Sequence, residues 1–122
     1  GGGVSVRVFI DMRDVSDATL RVALQGRVGE TYHISGYELV SIRKIVELIV
    51  KKLGARFEDC VEIGPERPGK DTAYKLDSFK LRSELAWRDK ISLEQGVEHT
   101  IDWARRYYDV LETLPAKYVH RP

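Results

Sequence analysis

The sequence has a single cysteine, a balanced charge and no long apolar run, and these absences exclude several classes of protein. Cys60 has no partner for an internal disulfide, which is typical of a chain that works in a reducing compartment. No stretch approaches the ~18 consecutive apolar residues that a transmembrane helix needs. The sequence has 20 basic and 19 acidic residues. This near-zero net charge gives no reason to expect a nucleic acid or a membrane surface as partner.

The amino terminus lacks a secretory signal and an initiator methionine. The opening Gly1-Gly2-Gly3-Val4 has no basic and apolar pattern, so a cytoplasmic protein is predicted. Without a methionine at position 1, we expect the sequence to be a segment of a longer protein. Its 122 residues are enough for one domain over residues 1–122. Cys60 is predicted to be a small core residue rather than a lone thiol, since free cysteines are usually buried.

Hydrophobic periodicity predicts an α/β or α+β fold in which short strands pack with about four helices. Strands are predicted over residues 6–10, 31–34 and 61–63, where apolar and β-branched side chains alternate or cluster. Helices are predicted from Asp14 to Gly26, from Ser41 to Gly54, in a short stretch after Asp77, and from Ser92 to Leu111. Residues 114–122 are predicted to be an irregular tail.

The sequence contains no complete catalytic motif. It has no Gly-x-Gly-x-x-Gly dinucleotide fingerprint, no Gly-x-Ser-x-Gly nucleophile elbow and no phosphate loop that ends in Gly-Lys-Ser/Thr. Its three histidines are too scattered to suggest a zinc site. The chain alone is therefore not expected to be a complete catalyst, and none of its residues is predicted to be catalytic or to bind a metal.

One loop, Glu66-Arg67-Pro68-Gly69-Lys70-Asp71, carries the most informative chemistry. Pro68 and Gly69, with Pro65 just before the loop, restrict the backbone and would hold Arg67 and Lys70 in fixed positions, where both could bind phosphate oxygens. The alternative is a polar surface turn whose charges pair with each other, at about 0–1 kcal/mol per pair. The spacing alone favours the surface turn and leaves the anion site open.

Two further polar residues lie on predicted strands. Arg7 alternates with Val6 and Val8 and so points to the opposite face, where it is either a ligand contact or an ordinary solvated residue. His33 lies in an apolar run and is either a ligand contact or a half-buried histidine. Local sequence favours the structural interpretation of both. Core packing is predicted for a group of aromatic residues: Trp87, Trp103, Tyr107 and Tyr108.

Four segments in order along the chain form a recognisable series. They are VRVFIDMRDV at 6–15, GETYHIS at 29–35, ERPGKD at 66–71 and DSFKLRSELAW at 77–87. This series resembles the C-terminal, substrate-binding part of extended short-chain dehydrogenase/reductases that act on nucleotide sugars. The likeness is greatest to the dTDP-glucose 4,6-dehydratases and related NAD-dependent epimerases, and it covers about residues 1–110.

The resemblance implies a two-part parent enzyme, an NAD-dependent 4,6-dehydratase (a lyase) or epimerase (an isomerase). In that family an N-terminal Rossmann half binds NAD and carries a catalytic Tyr-x-x-x-Lys pair, while the C-terminal part closes over the nucleotide diphosphate of the substrate. Members are commonly homodimers, largely through helices of the Rossmann half. This sequence has no Tyr-x-x-x-Lys, so it resembles the second part without the first.

The resemblance also implies four substrate-binding residues. Arg7 and Arg67 match family arginines that contact the nucleotide diphosphate. Lys70 occupies the place of the histidine in the family's Arg-Pro-Gly-His-Asp loop. His33 falls where the family's Tyr-Asn-Ile strand has an asparagine that contacts the nucleotide.

The chain departs from the family pattern in ways that leave its substrate open. Imidazole cannot present the paired donor and acceptor of an amide, so His33 leaves the bound base undecided. Ala86 replaces the glycine of the usual Leu-Gly-Trp, and Asp89 stands where a proline is common. The sugar, and the choice between dehydratase and epimerase, also stay open. The alternative function is a stand-alone, non-catalytic module that binds a ligand or another protein.

Overall fold

The structure, a computed structural model, describes residues 1–66 and 68–115. The strands are β1 (Val6–Val8), β2 (Leu39–Ser41) and β3 (Ala73–Tyr74). The helices are α1 (Met12–Gln25), α2 (Ile42–Leu53), α3 (Phe57–Cys60), α4 (Phe79–Leu85), α5 (Leu93–Arg106) and α6 (Tyr108–Glu112). These elements confirm the predicted mixed α/β class. Within these two ranges, no helix is both long and apolar enough to cross a membrane.

The central strand of the open sheet is β1, in the order β2-β1-β3. It runs antiparallel to β2, where Arg7 pairs with Val40, and parallel to β3, where Arg7 pairs with Tyr74. The sequence predicted neither β2 nor β3, because runs of three and two residues are too short to show alternation. The sheet therefore places Arg7 next to the residues that follow the 66–71 loop.

The hydrophobic core lies where α1 packs against α4. Its fully buried residues, Ala18, Leu81 and Trp87, are joined by the buried Leu85. Partly buried side chains packed against it are Ile10, Val22, Tyr32 and Ile34. The burial of apolar surface from both helices and from the segment around residue 32 is what holds these parts of the chain together.

Helix ends agree with the sequence where a local capping signal is present. Ser41 caps α2 by accepting a hydrogen bond from the Lys44 backbone N–H at 3.1 Å. A capping box of Ser92 and Gln95 starts α5 at the predicted position. The cap predicted at Asp14 is wrong: the N-cap of α1 is Asp11, so the helix begins earlier along the chain.

Three local predictions are wrong. Residues 31–34 have no regular secondary structure, and residues 61–63 follow the short helix α3 instead of forming a strand. Cys60, at the end of that helix, is exposed rather than buried. The tail predicted over 114–122 falls mostly outside the described residues.

Within the described residues, the apolar faces of α2 and α5 are only partly buried. They line an open groove of about 1480 Å³ between the start of α1, α2, α5 and α6. Val50 and Val97 are buried, but Trp103 is 54% exposed, and Tyr107 and Tyr108 are also exposed. The prediction that these three aromatic residues are core residues is therefore wrong here, whereas Trp87 is buried as expected.

Ala86 is the only non-glycine residue of the described ranges with a positive φ, 49°, and it ends α4. A left-handed conformation costs an L-residue about 1–2 kcal/mol, and glycine avoids this cost. Glycine loses more backbone entropy than alanine on folding, so only part of that cost is recovered when alanine is replaced by glycine. We expect Ala86→Gly to raise the free energy of unfolding in urea by about 1 kcal/mol. The matched control Ala23→Gly, exposed inside α1, should lower it by about 1 kcal/mol. A decrease for both variants would contradict strain at Ala86.

Candidate functional site

Arg7 is half-buried in the middle of the sheet and reaches the end of the 66–71 loop. Its Nη1 donates to the carbonyl oxygen of Val6 at 2.7 Å, and its Nη2 donates to the carbonyl oxygen of Asp71 at 2.9 Å. The other three guanidinium N–H groups have no hydrogen-bond partner among residues 1–66 and 68–115. Arg7 is thus fixed beside the loop and retains donors that can bind an anion.

The 66–71 loop leads directly into β3, the parallel neighbour of β1. Gly69 has a φ of 70°, which glycine adopts without steric cost, so the chain can turn sharply at this point. Lys70 is paired with Glu66, and this hydrogen-bonded ammonium lowers the pKa of the Glu66 carboxyl below its usual value. Arg67 lies outside the described residues, so its placement beside the diphosphate stays a prediction.

His33 lies on segment 31–37, which belongs to no helix or strand, and its side chain is exposed. Where the structure describes the chain, no hydrogen bond or ion pair joins it to Arg7 or Lys70. The end of its segment packs on β1. Gly36 lies so close to this strand that a Cβ built on it would be 3.2 Å from Val8 Cγ1. The structure therefore brings Arg7 to the loop that contains Lys70, and places the end of the His33 segment against the same strand.

A charged cluster follows β1 directly. The Asp11 carboxylate accepts hydrogen bonds from the backbone N–H of Arg13 at 2.9 Å, and from its Nε and Nη2 at 2.9 and 2.8 Å. The side-chain hydrogen bonds from Arg13 lower the pKa of Asp11 to about 2. Arg13 also contacts Nδ1 of His99 on α5. This cluster fixes the turn between β1 and α1 and connects it to α5.

One residue with several polar contacts, Arg82 on α4, was not singled out in the sequence. It is buried together with Ser78, one helical turn earlier, and pairs with Asp89 at 2.8 Å. The spacing between Ser78 and Arg82 was a possible signal, since residues four apart share a helix face. It was not decisive, because arginine is mostly exposed in folded proteins.

The chemistry available at this site is anion binding. Guanidinium and ammonium groups beside a glycine-containing turn are suited to phosphate oxygens. Within residues 1–66 and 68–115, no group of three or more His, Cys, Asp and Glu side chains is placed to hold a metal ion. The arrangement thus supports binding of a phosphorylated ligand.

Comparison with known proteins identifies relatives of this chain. No protein-family model matches the chain. The dTDP-glucose 4,6-dehydratase of Streptomyces niveus is 36% identical over 105 residues, which cover 86% of this chain and 31% of the relative. That of Haemophilus influenzae is 32% identical over 113 residues, which cover 84% of this chain and 33% of the relative. The chain therefore spans about a third of the length of the curated relatives it matches.

Solved structures of dehydratases and epimerases share the fold. DesIV, a dTDP-glucose 4,6-dehydratase from Streptomyces venezuelae solved with NAD and TYD bound, matches with a TM-score of 0.84 and 31% identity over 90% of this chain and 34% of its own. The UDP-glucose 4-epimerase of Thermotoga maritima, solved with UDP-glucose, matches with a TM-score of 0.79 and 27% identity over 88% of this chain and 34% of its own. The resemblance carried by the sequence motifs is therefore confirmed: over most of its length, this chain is homologous to the C-terminal part of the extended short-chain dehydrogenase/reductases that include the dTDP-glucose 4,6-dehydratases.

Proposed function

We propose that the chain is the sugar-nucleotide-binding part of an NAD-dependent 4,6-dehydratase or epimerase, and that residues 1–122 form one C-terminal domain of that enzyme. The observation that carries this proposal is the match to DesIV, a dehydratase solved with NAD and TYD bound, over 90% of the chain. The position of Arg7 beside the 66–71 loop supports it, because a diphosphate needs cationic donors.

The four predicted residues have distinct proposed roles. Arg7 and Arg67 bind the diphosphate of the substrate, since guanidinium groups form forked hydrogen bonds with phosphate oxygens. Lys70, now paired with Glu66, adds a cationic charge to the same loop. His33 contacts the nucleotide from the segment that packs on β1, and its ring nitrogens can donate or accept.

NAD, which DesIV binds, does not fit the residues of this chain. The sequence has neither the glycine-rich fingerprint nor the Tyr-x-x-x-Lys pair. When bound in such enzymes, NAD supplies a hydride acceptor for C4 of the sugar and later a hydride donor. We therefore place NAD on a Rossmann half outside this chain. The residues described above bind and orient the substrate, so that diphosphate binding energy aligns the sugar for reaction.

The open groove between α2 and α5 is the proposed contact surface for that Rossmann half. It is about 1480 Å³ in volume and is lined mainly by apolar side chains, including the exposed Trp103 and Tyr108. A large exposed apolar surface is usually covered by another protein surface. Because the chain spans only about a third of its relatives, the remaining part of the enzyme is the occupant we propose. Assembly of the parent enzyme into a homodimer stays a prediction.

The test is to express the complete reading frame that contains this chain and to incubate the protein with NAD and either dTDP-glucose or UDP-glucose. Dehydration removes water, which mass spectrometry detects. Epimerisation keeps the mass and inverts one sugar carbon, which NMR detects. Either product is the expected result. A protein that binds the nucleotide sugar without converting it, or that does not bind it, would instead be the non-catalytic ligand-binding or interaction module.

A further inference from the structure

Arg82 is a buried cation that holds the segment carrying His33. Its side chain is only 5% exposed, and its Nη2 donates to the carbonyl oxygen of Ser35 at 2.8 Å. Its Nε donates to the Ser78 hydroxyl at 2.9 Å, and that hydroxyl donates to the same Ser35 carbonyl at 2.9 Å. Its Nη1 pairs with Asp89 at 2.8 Å. The Arg82 guanidinium and the Ser78 hydroxyl thus both hold the Ser35 carbonyl group, two residues after His33.

The guanidinium group of Arg82 also contacts two aromatic rings. Its carbon lies 4.1 Å from the ring centroid of Tyr37 and 4.6 Å from that of Trp87. Trp87 is fully buried, whereas Tyr37 is 63% exposed. Cation–π attraction therefore connects the exposed end of the 31–37 segment to the core through one side chain.

The 31–37 segment depends on such side-chain contacts, because it belongs to no sheet. In the part of the chain that the structure describes, no backbone–backbone hydrogen bond involves residues 31–37. Other side chains of α4 also hold it. Lys80 Nζ donates to the carbonyl oxygen of Thr31 at 3.2 Å. The Tyr32 hydroxyl donates to the Glu84 carboxylate at 2.9 Å.

A buried arginine is costly unless it is fully paired, and apolar residues of similar volume often stabilise a fold equally well. We propose that Arg82 is a positioning residue that fixes the 31–37 segment and thereby sets the place of His33 for nucleotide-sugar binding. This inference rests on the proposed function, because it assigns His33 to that substrate.

The test compares Arg82→Met with Arg21→Met in the complete enzyme. Arg21 is a matched control: it pairs with Asp17 at 3.0 Å and donates to the carbonyl oxygen of Leu85 at 3.3 Å. None of its hydrogen bonds reaches residues 31–37. We expect Arg82→Met to raise the KM for the nucleotide sugar about tenfold and to leave kcat within about twofold, which is the signature of lost binding. Arg21→Met should leave KM unchanged.

Backbone amide NMR of the same two variants of the complete enzyme separates this proposal from the proposed function. Arg82→Met should shift the amide resonances of residues 31–37 whether or not a nucleotide sugar binds, and Arg21→Met should not. We expect Arg82→Lys, which keeps the charge, to bind the nucleotide sugar more tightly than Arg82→Met does. If Arg82→Met does not fold, Arg82→Lys takes its place in both measurements. Unchanged amide resonances, or shifted resonances with an unchanged KM, would overturn the positioning role. A wild-type enzyme without turnover would overturn the proposed function instead.

Discussion

Replacing Trp87 with alanine should lower the free energy of unfolding by about 3–5 kcal/mol, the largest stability effect we expect in this chain. The indole is fully buried against Ala18, Leu81 and Leu85. Its Nε1 donates to the carbonyl oxygen of Asp14 at 3.2 Å. Truncation would therefore leave a cavity and remove the hydrogen bond from the indole to the Asp14 carbonyl group. Domains of this size have only about 5–15 kcal/mol of stability, so the urea midpoint should fall steeply.

The second tryptophan of the chain is a matched control for this measurement. Trp103 is more than half exposed at the rim of the apolar groove. Trp103→Ala should therefore cost less than about 1 kcal/mol. Because each variant removes a fluorophore, urea unfolding is best followed by far-UV circular dichroism. Equal losses for the two variants would contradict the assignment of the core to the α1–α4 contact.

Replacing Arg67 with alanine in the complete enzyme should weaken nucleotide-sugar binding about 10- to 100-fold and leave NAD affinity unchanged. A hydrogen bond to a charged group is worth about 1.5–3 kcal/mol, and each 1.4 kcal/mol is about a tenfold change in affinity. NAD affinity should stay the same, because NAD is proposed to bind the Rossmann half. Isothermal titration calorimetry with each ligand separately measures both affinities.

An arginine elsewhere on the surface provides the control. The Arg56 side chain is exposed and lies 3.8 Å from the Asp59 carboxylate beside α3. Arg56→Ala removes the same charge and should change neither affinity. If Arg67→Ala weakened both ligands equally, or neither, the assignment of Arg67 to the diphosphate would be wrong.

The sequence predicted helices better than strands, because helix ends carry local signals. Ser41 and Gly54 bound α2 as expected, and Ser92 starts α5. The short strands β2 and β3 exist only through pairing with β1, which no local pattern reveals. Conversely, residues 31–34 have the composition of a strand, but side chains of α4 hold them, and no strand within residues 1–66 and 68–115 pairs with them.

The site residues were predicted from the order of the four motifs along the chain, not from the spacing of residues within any one motif. Arg7 is held at the 66–71 loop through the Asp71 carbonyl group, a contact 64 residues apart in sequence. Local spacing alone had favoured an ordinary surface residue. The contact of Arg82 with the Ser35 carbonyl group could not be predicted from local spacing, because the two residues are 47 apart in sequence. Likewise, Asp14 is not a helix cap; its buried carboxylate accepts hydrogen bonds from the distant backbone N–H groups of Lys90 and Ile91.

The most direct measurement is a crystal structure of the complete enzyme with a nucleoside diphosphate bound. The distances to measure join the guanidinium nitrogens of Arg7 and Arg67 to the phosphate oxygens. We predict that both arginines lie within hydrogen-bonding distance of the diphosphate, at about 2.7–3.2 Å. If either side chain points away, so that the two lie on separate faces, this chain does not bind its substrate in the way proposed.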